Sequence, residues 1–150
     1  MNTLFNTETQ QDILNRINNL NEKSQPNWGK MDVAQMLVHC QKPLEVANGN
    51  LQLNTKIGFA KKLLFKLFKS SMYNDKSWQK NLGTVREFKI TEAQEFAIQK
   101  DKLINIISEF SQLKNKTNWP THPLFGDFNT EQWGKMQYKH LDHHLTQFGV

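Results

Sequence analysis

The sequence contains a single cysteine, Cys40, among 150 residues. That excludes a disulfide framework and a cysteine-built metal knuckle, and it makes a reducing compartment the expectation. Proline is scarce, four in all, and three of the four fall in breaks between periodic segments: Pro26, Pro120 and Pro123. No apolar run approaches the roughly 20 residues that span a bilayer. The start, Met1 to Asn6, has neither a basic opening nor an apolar h-region, so no signal peptide is read there. A cytoplasmic protein is expected. Acidic residues are fewer than basic ones, 14 against 19, which leaves a net charge of +5. That surplus keeps nucleic acid and anionic surfaces in view but argues neither as a partner by itself. Ten phenylalanines and four tryptophans supply the bulk of a core, and the length suits one domain over residues 1–150.

The apolar periodicity is helical throughout. Residues 7–22 read as a first helix, with Ile13, Leu14, Ile17 and Leu20 in phase and Thr7 with Gln10 as a capping box. Residues 30–48 read as a second, ended by Asn48-Gly49-Asn50 and interrupted by Pro43, whose missing N–H predicts a kink one turn after His39. Residues 56–72 form a basic amphipathic stretch, with Ile57, Ala60, Leu64, Leu67 and Phe68 on one face and Lys62, Lys66 and Lys69 opposite. Residues 73–90 read as a long polar connection. Residues 91–113 read as a helix opened by a Thr91–Gln94 capping box, 114–129 as a loop, and 130–148 as a last helix capped by Asn129 or Thr130. Four main helices, a shorter basic one and a long crossover fit an all-α antiparallel bundle.

Trp28-Gly29-Lys30-Met31 recurs as Trp133-Gly134-Lys135-Met136. The match continues in register, so that Trp28, Gln35 and His39 parallel Trp133, His140 and His144. Two helices built alike, each with a polar pair one turn apart, would bring His39, His140 and His144 together if they face each other, with Gln35 beside them. On a helix of 3.6 residues per turn, His140 and His144 lie at the edge of the apolar face. His143 turns instead towards Lys139, Asp142 and Thr146. Three neutral imidazoles with one coordination position open suit a divalent cation, zinc, nickel, copper and iron(II) alike. An ordinary hydrogen-bonded cluster of core histidines is the bland alternative. Gln35 reads as a hydrogen-bonding neighbour of the ligands, His122 as a loop residue at the mouth of the pocket or an ordinary loop histidine, and Cys40 as buried and inert. Trp28 and Trp133 read as packing residues at helix starts.

At these residues the chain resembles the DinB-like superfamily, also called YfiT-like metal-dependent hydrolases. Val33-Ala34-Gln35-Met36-Leu37-Val38-His39 is similar to that family's second-helix pattern. The run His140-Leu141-Asp142-His143-His144-Leu145-Thr146-Gln147 is similar to its final His-x3-His followed by Gln. Trp28-Gly29-Lys30-Met31, the His122-Pro123-Leu124-Phe125-Gly126 loop and the ending from Tyr138 to Val150 resemble its uncharacterised DUF1569 branch. The resemblance implies a four-helix bundle whose first and last helix pairs are related by a pseudo-two-fold axis. It also implies a three-histidine site for zinc or nickel, with Gln147 near it, and a homodimer. For activity it implies hydrolysis or the transfer of a low-molecular-weight thiol to a small-molecule substrate. The residues leave a second reading open: a non-catalytic helical module that uses the basic stretch 56–72, with the histidines structural.

Overall fold

A computed structural model describes residues 2–53, 58–122 and 124–150, those at 59–62 by backbone alone. Its helices are α1 (Thr7–Asn18), α2 (Val33–Asn48), α3 (Phe59–Leu67), α4 (Phe96–Ser111) and α5 (Thr130–Gln147). Short 3-10 segments cover Lys69–Met72, Arg86–Phe88 and Gln112–Asn115. No strand occurs among the described residues, only one isolated bridge between His122 and Gly126, and no helix there is long and apolar enough to cross a membrane.

Local chemistry sets the helix ends, not always where periodicity put them. α1 is capped by Asn6, whose side-chain oxygen accepts from the Thr9 amide at 2.9 Å. Thr7 is already helical, so the expected Thr7–Gln10 box does not form. The helix stops at Asn18, yet Leu20 continues the apolar phase and is 3% exposed. α2 starts at a reciprocal Asp32–Gln35 capping box and ends at Gly49, whose φ of +83° is the left-handed conformation that glycine adopts without strain. Pro43 lies inside α2 without ending it. α4 begins later than expected: Thr91 and Gln94 cap nothing, and the extended Glu95 precedes the first turn. α5 opens on a capping box between Asn129 and Gln132.

α1 and α2 each pack against both α4 and α5. The apolar stripes meet in one core: Ile13 and Ile17 from α1, Met36, Leu37 and Leu44 from α2, Leu103, Ile107 and Phe110 from α4, and Trp133, Leu141 and Leu145 from α5. Burying each such side chain contributes about 1.5–3 kcal/mol. The N-terminal segment closes one end, with Phe5 stacked on Phe110 at 5.0 Å. Gly134 permits this, because a Cβ there would collide with Thr3 Oγ1 and the Phe5 ring.

The apolar face read on the stretch 56–72 is turned to solvent where it is described: Leu64 is 53%, Leu67 73% and Phe68 57% exposed, and Ile57 lies outside the described residues. Phe65, between those positions, docks edge-on against Phe125 at 5.7 Å. Lys69, just beyond the helix, donates to the Asp127 carbonyl and sits over the Phe128 ring. Those anchors turn the leucine face outward.

Candidate metal centre

His39 stands in the middle of α2, and His140 and His144 one turn apart on α5. All three are buried, and one ring nitrogen from each lies within 4.8 Å of the others. His39 Nε2 and His140 Nε2 are 3.1 Å apart. The His144 ring centroid lies 4.6 Å from that of His39 and 4.8 Å from that of His140.

Hydrogen bonds decide where two of the protons are. His39 Nδ1 is 2.8 Å from the Phe88 carbonyl, which can only accept. Nδ1 therefore carries the proton and Nε2 points into the cluster with a bare lone pair. Gln147 Nε2 donates to the Trp28 carbonyl at 2.6 Å, which aims its Oε1 at His144 Nδ1, 2.8 Å away. His144 is thereby fixed in the same tautomer. His140 Nδ1 is buried without a partner, while its Nε2–H donates to the bare His39 Nε2 at 3.1 Å, so this is the proton a cation would displace.

Burial lowers the pKa of all three, that of His144 to about 3. The neighbouring imidazoles depress His140 further after burial. The cluster is neutral at pH 7, as metal ligands must be. Nitrogens on a tetrahedral zinc, at about 2.0–2.1 Å from the ion, stand about 3.3 Å apart. The observed 3.1 Å fits that separation, and the 4.8 Å limit leaves His144 a short movement to complete the set. Two bare lone pairs, on His39 and His144, with their far nitrogens anchored, and a third imidazole between them suit a divalent ion.

The supporting residues come from three places. Gln147 touches His144 directly. Gly29 makes room for it: at φ +87°, a Cβ there would lie 2.5 Å from Gln147 Nε2. The connection between α3 and α4, read from the sequence as featureless, supplies Phe88 and Trp78. The Trp78 ring lies 5.8 Å from that of His140. Lys139 pins this connection, with its ammonium bonded to Ser71 O at 2.7 Å, Asn74 O at 3.0 Å and Asn74 Oδ1 at 2.7 Å. The sequence signals were the aromatic residues Trp78 and Phe88, set with Tyr73 in a stretch without a clear period.

Two expectations are corrected. Gln35 does not sit with the histidines. Its Oε1 accepts from the Asp32 amide at 3.1 Å and its Nε2 donates to Glu92 O at 3.3 Å, so the helix start engages it. His122 is no pocket-mouth residue either. It is buried against Phe125, Phe128 and Trp133, two turns before His140. Its Nδ1 accepts from the Leu124 and Phe125 amides at 3.2 and 3.4 Å, and burial lowers its pKa to about 4. Cys40 is buried beside Met36, its thiol pKa pushed up by burial, and plays no part in the cluster. His143, half-buried, stands between Trp28 and Trp78 with ring centroids 5.8 Å from each.

The family model described as "Protein of unknown function (DUF1569)" matches residues 3–149. No curated protein and no solved structure matches the chain.

Proposed function

The chain belongs to DUF1569, and we propose that it is a divalent-metal-binding protein of the DinB-like superfamily. In this reading α1, α2, α4 and α5 form a four-helix bundle of two pseudo-symmetric pairs, and His39, His140 and His144 hold the ion. One observation carries the proposal: two ring nitrogens face each other at 3.1 Å inside the core, while the outer nitrogens of His39 and His144 are both committed as donors. The one proton between the facing nitrogens is the proton that a cation would displace.

A zinc or nickel ion held there would supply Lewis acidity and bring a thiol or water towards ionisation near neutral pH. The protein's own part is to hold three neutral imidazoles, orient two of them through Phe88 and Gln147, and exclude water with Trp78. Among the described residues no carboxylate joins the cluster. Asp142, on the same helix, is engaged by Arg16 at 2.7 Å. Hydrolysis calls for a general base that this arrangement does not offer. Transfer of a low-molecular-weight thiol to a small electrophilic substrate does not need one, and it is the reaction favoured here, in a cytoplasmic, dimeric protein.

The test is elemental analysis of untagged protein beside His39→Ala and His144→Ala. About one zinc or nickel per chain, lost in both variants, is expected. No bound metal after reconstitution with either ion would overturn the proposal. Chelation separates a catalytic from a purely structural ion: a large fall in Tm without any thiol reactivity of the loaded protein identifies a staple.

The outward face of α3 favours a second reading, in which the protein is a binding module. Leu63, Leu64, Leu67 and Phe68 are all more than half exposed, and no acidic residue interrupts the lysines between Glu45 and Asp75. Salt-sensitive binding to anionic vesicles, lost in Leu67→Glu and indifferent to metal, would support it.

A further inference from the structure

A cavity of about 180 Å³ opens beside the histidine cluster, lined by Trp28, Ser77, Trp78, Lys80, His143 and Thr146 among others. Both indole walls are tied to the cluster. The Trp28 backbone carbonyl accepts from the Gln147 amide that orients His144, and the Trp78 indole lies against His140. His143 stands between the two indoles, its ring 5.1 Å from that of His144. The cavity is therefore one side chain away from the cluster, across His143 and Trp78.

The charges at its wall are unequal. Lys139 also borders the cavity, but its ammonium is already surrounded by three oxygens. Asp142 is paired with Arg16. Lys80 is exposed and rests over the Trp28 ring at 4.6 Å, and it has no carboxylate partner among the described residues. Aromatic walls with one uncommitted cation at the rim recognise a flat apolar body that carries an anionic group.

We infer that this cavity binds a small ligand of that class, an aryl or similarly flat carboxylate, and delivers it to the histidine cluster. The inference deepens the metal-centre reading by naming the substrate class, but the binding itself needs no ion.

The experiment uses full-length protein, metal-loaded and chelator-treated, titrated with phenylacetate and with its neutral analogue phenylacetamide. The readout is the four tryptophan indole N–H signals in NMR spectra, assigned through Trp→Phe variants. Saturable shifts of Trp28 and Trp78, with Trp119 and Trp133 unmoved, are expected in both preparations. Phenylacetamide and Lys80→Gln should each weaken binding severalfold, and Trp78→Leu should abolish it while leaving Trp133 in its native position. Absence of these shifts, or equal affinity for the amide, overturns the inference. So does binding that vanishes on chelation and survives Lys80→Gln, because the carboxylate then goes to the ion. Failure of the metal reading shows separately: protein without metal in elemental analysis that still binds phenylacetate through Lys80 keeps this inference and removes the other.

Discussion

Trp28-Gly29-Lys30-Met31 and Trp133-Gly134-Lys135-Met136 are identical in sequence and unlike in every structural respect. The first lies in an irregular loop before α2, with Trp28 half-buried and Gly29 at φ +87°. The second lies inside α5, with Trp133 fully buried between Phe128, His122 and Trp119. Each glycine is needed because a side chain would collide with something, but the something differs: Gln147 for Gly29, Thr3 and Phe5 for Gly134. A four-residue identity thus gave a correct lead to the histidines through a partly mistaken picture of matched helices. Local sequence proposes a conformation, and the partner brought from far along the chain decides it.

Truncating the tryptophans should break the comparison most sharply. Trp133→Ala empties a core site and should cost about 3–5 kcal/mol, whereas Trp28→Ala should cost about 1 kcal/mol. Urea denaturation of both variants measures the difference, and equal losses would contradict the unequal burial.

The neighbour of Trp133 gives the next effect. His122 has a folded pKa of about 4 against an ordinary value near 6.5. Between those values the unfolded chain binds a proton that the folded chain refuses. Stability is therefore complete above about pH 6.5 and falls as pH drops towards 4, by up to about 3 kcal/mol from this group. The buried cluster histidines, also lowered, act in the same direction. In His122→Asn, which keeps an acceptor for the loop amides, the slope of stability against pH over that interval should become shallower. An unchanged slope would remove His122 from the account.

Alanine at the two glycines sharpens the contrast with smaller changes. Gly134→Ala should cost about 1–3 kcal/mol through overpacking and leave metal affinity unchanged. Gly29→Ala should cost a similar amount through its left-handed backbone and, by displacing Gln147 from His144, lower zinc affinity about 10–100-fold. Competition with a chromophoric chelator reads the affinity. The smallest expected effect is Gln35→Ala, about 1 kcal/mol from a weakened helix cap, with no change in zinc affinity. A fall in affinity there would restore Gln35 to the site.

Much of the helical framework was legible because amphipathic periodicity and capping residues act locally. Ile13, Ile17, Leu103, Ile107, Leu141 and Leu145 are all in phase and all buried. The helix starts were less legible, since Asn6 and Thr7 offer competing caps that only the final geometry separates. For the cluster, the internal repeat pointed to His39, His140 and His144, and helical phase set His143 aside. Phe88 and Trp78 could not, because they reach the histidines from a connection without any period of its own.

What the sequence by itself determined is an all-helical chain with three histidines on the inner edges of two helices, since the 3.6-residue period leaves those side chains no other face. What only the tertiary structure decided is their tautomers, their support and the wall around them. Those depend on a carbonyl at Phe88, an amide at Gln147 and a missing side chain at Gly29, which distant parts of the chain bring within hydrogen-bonding reach only when it folds.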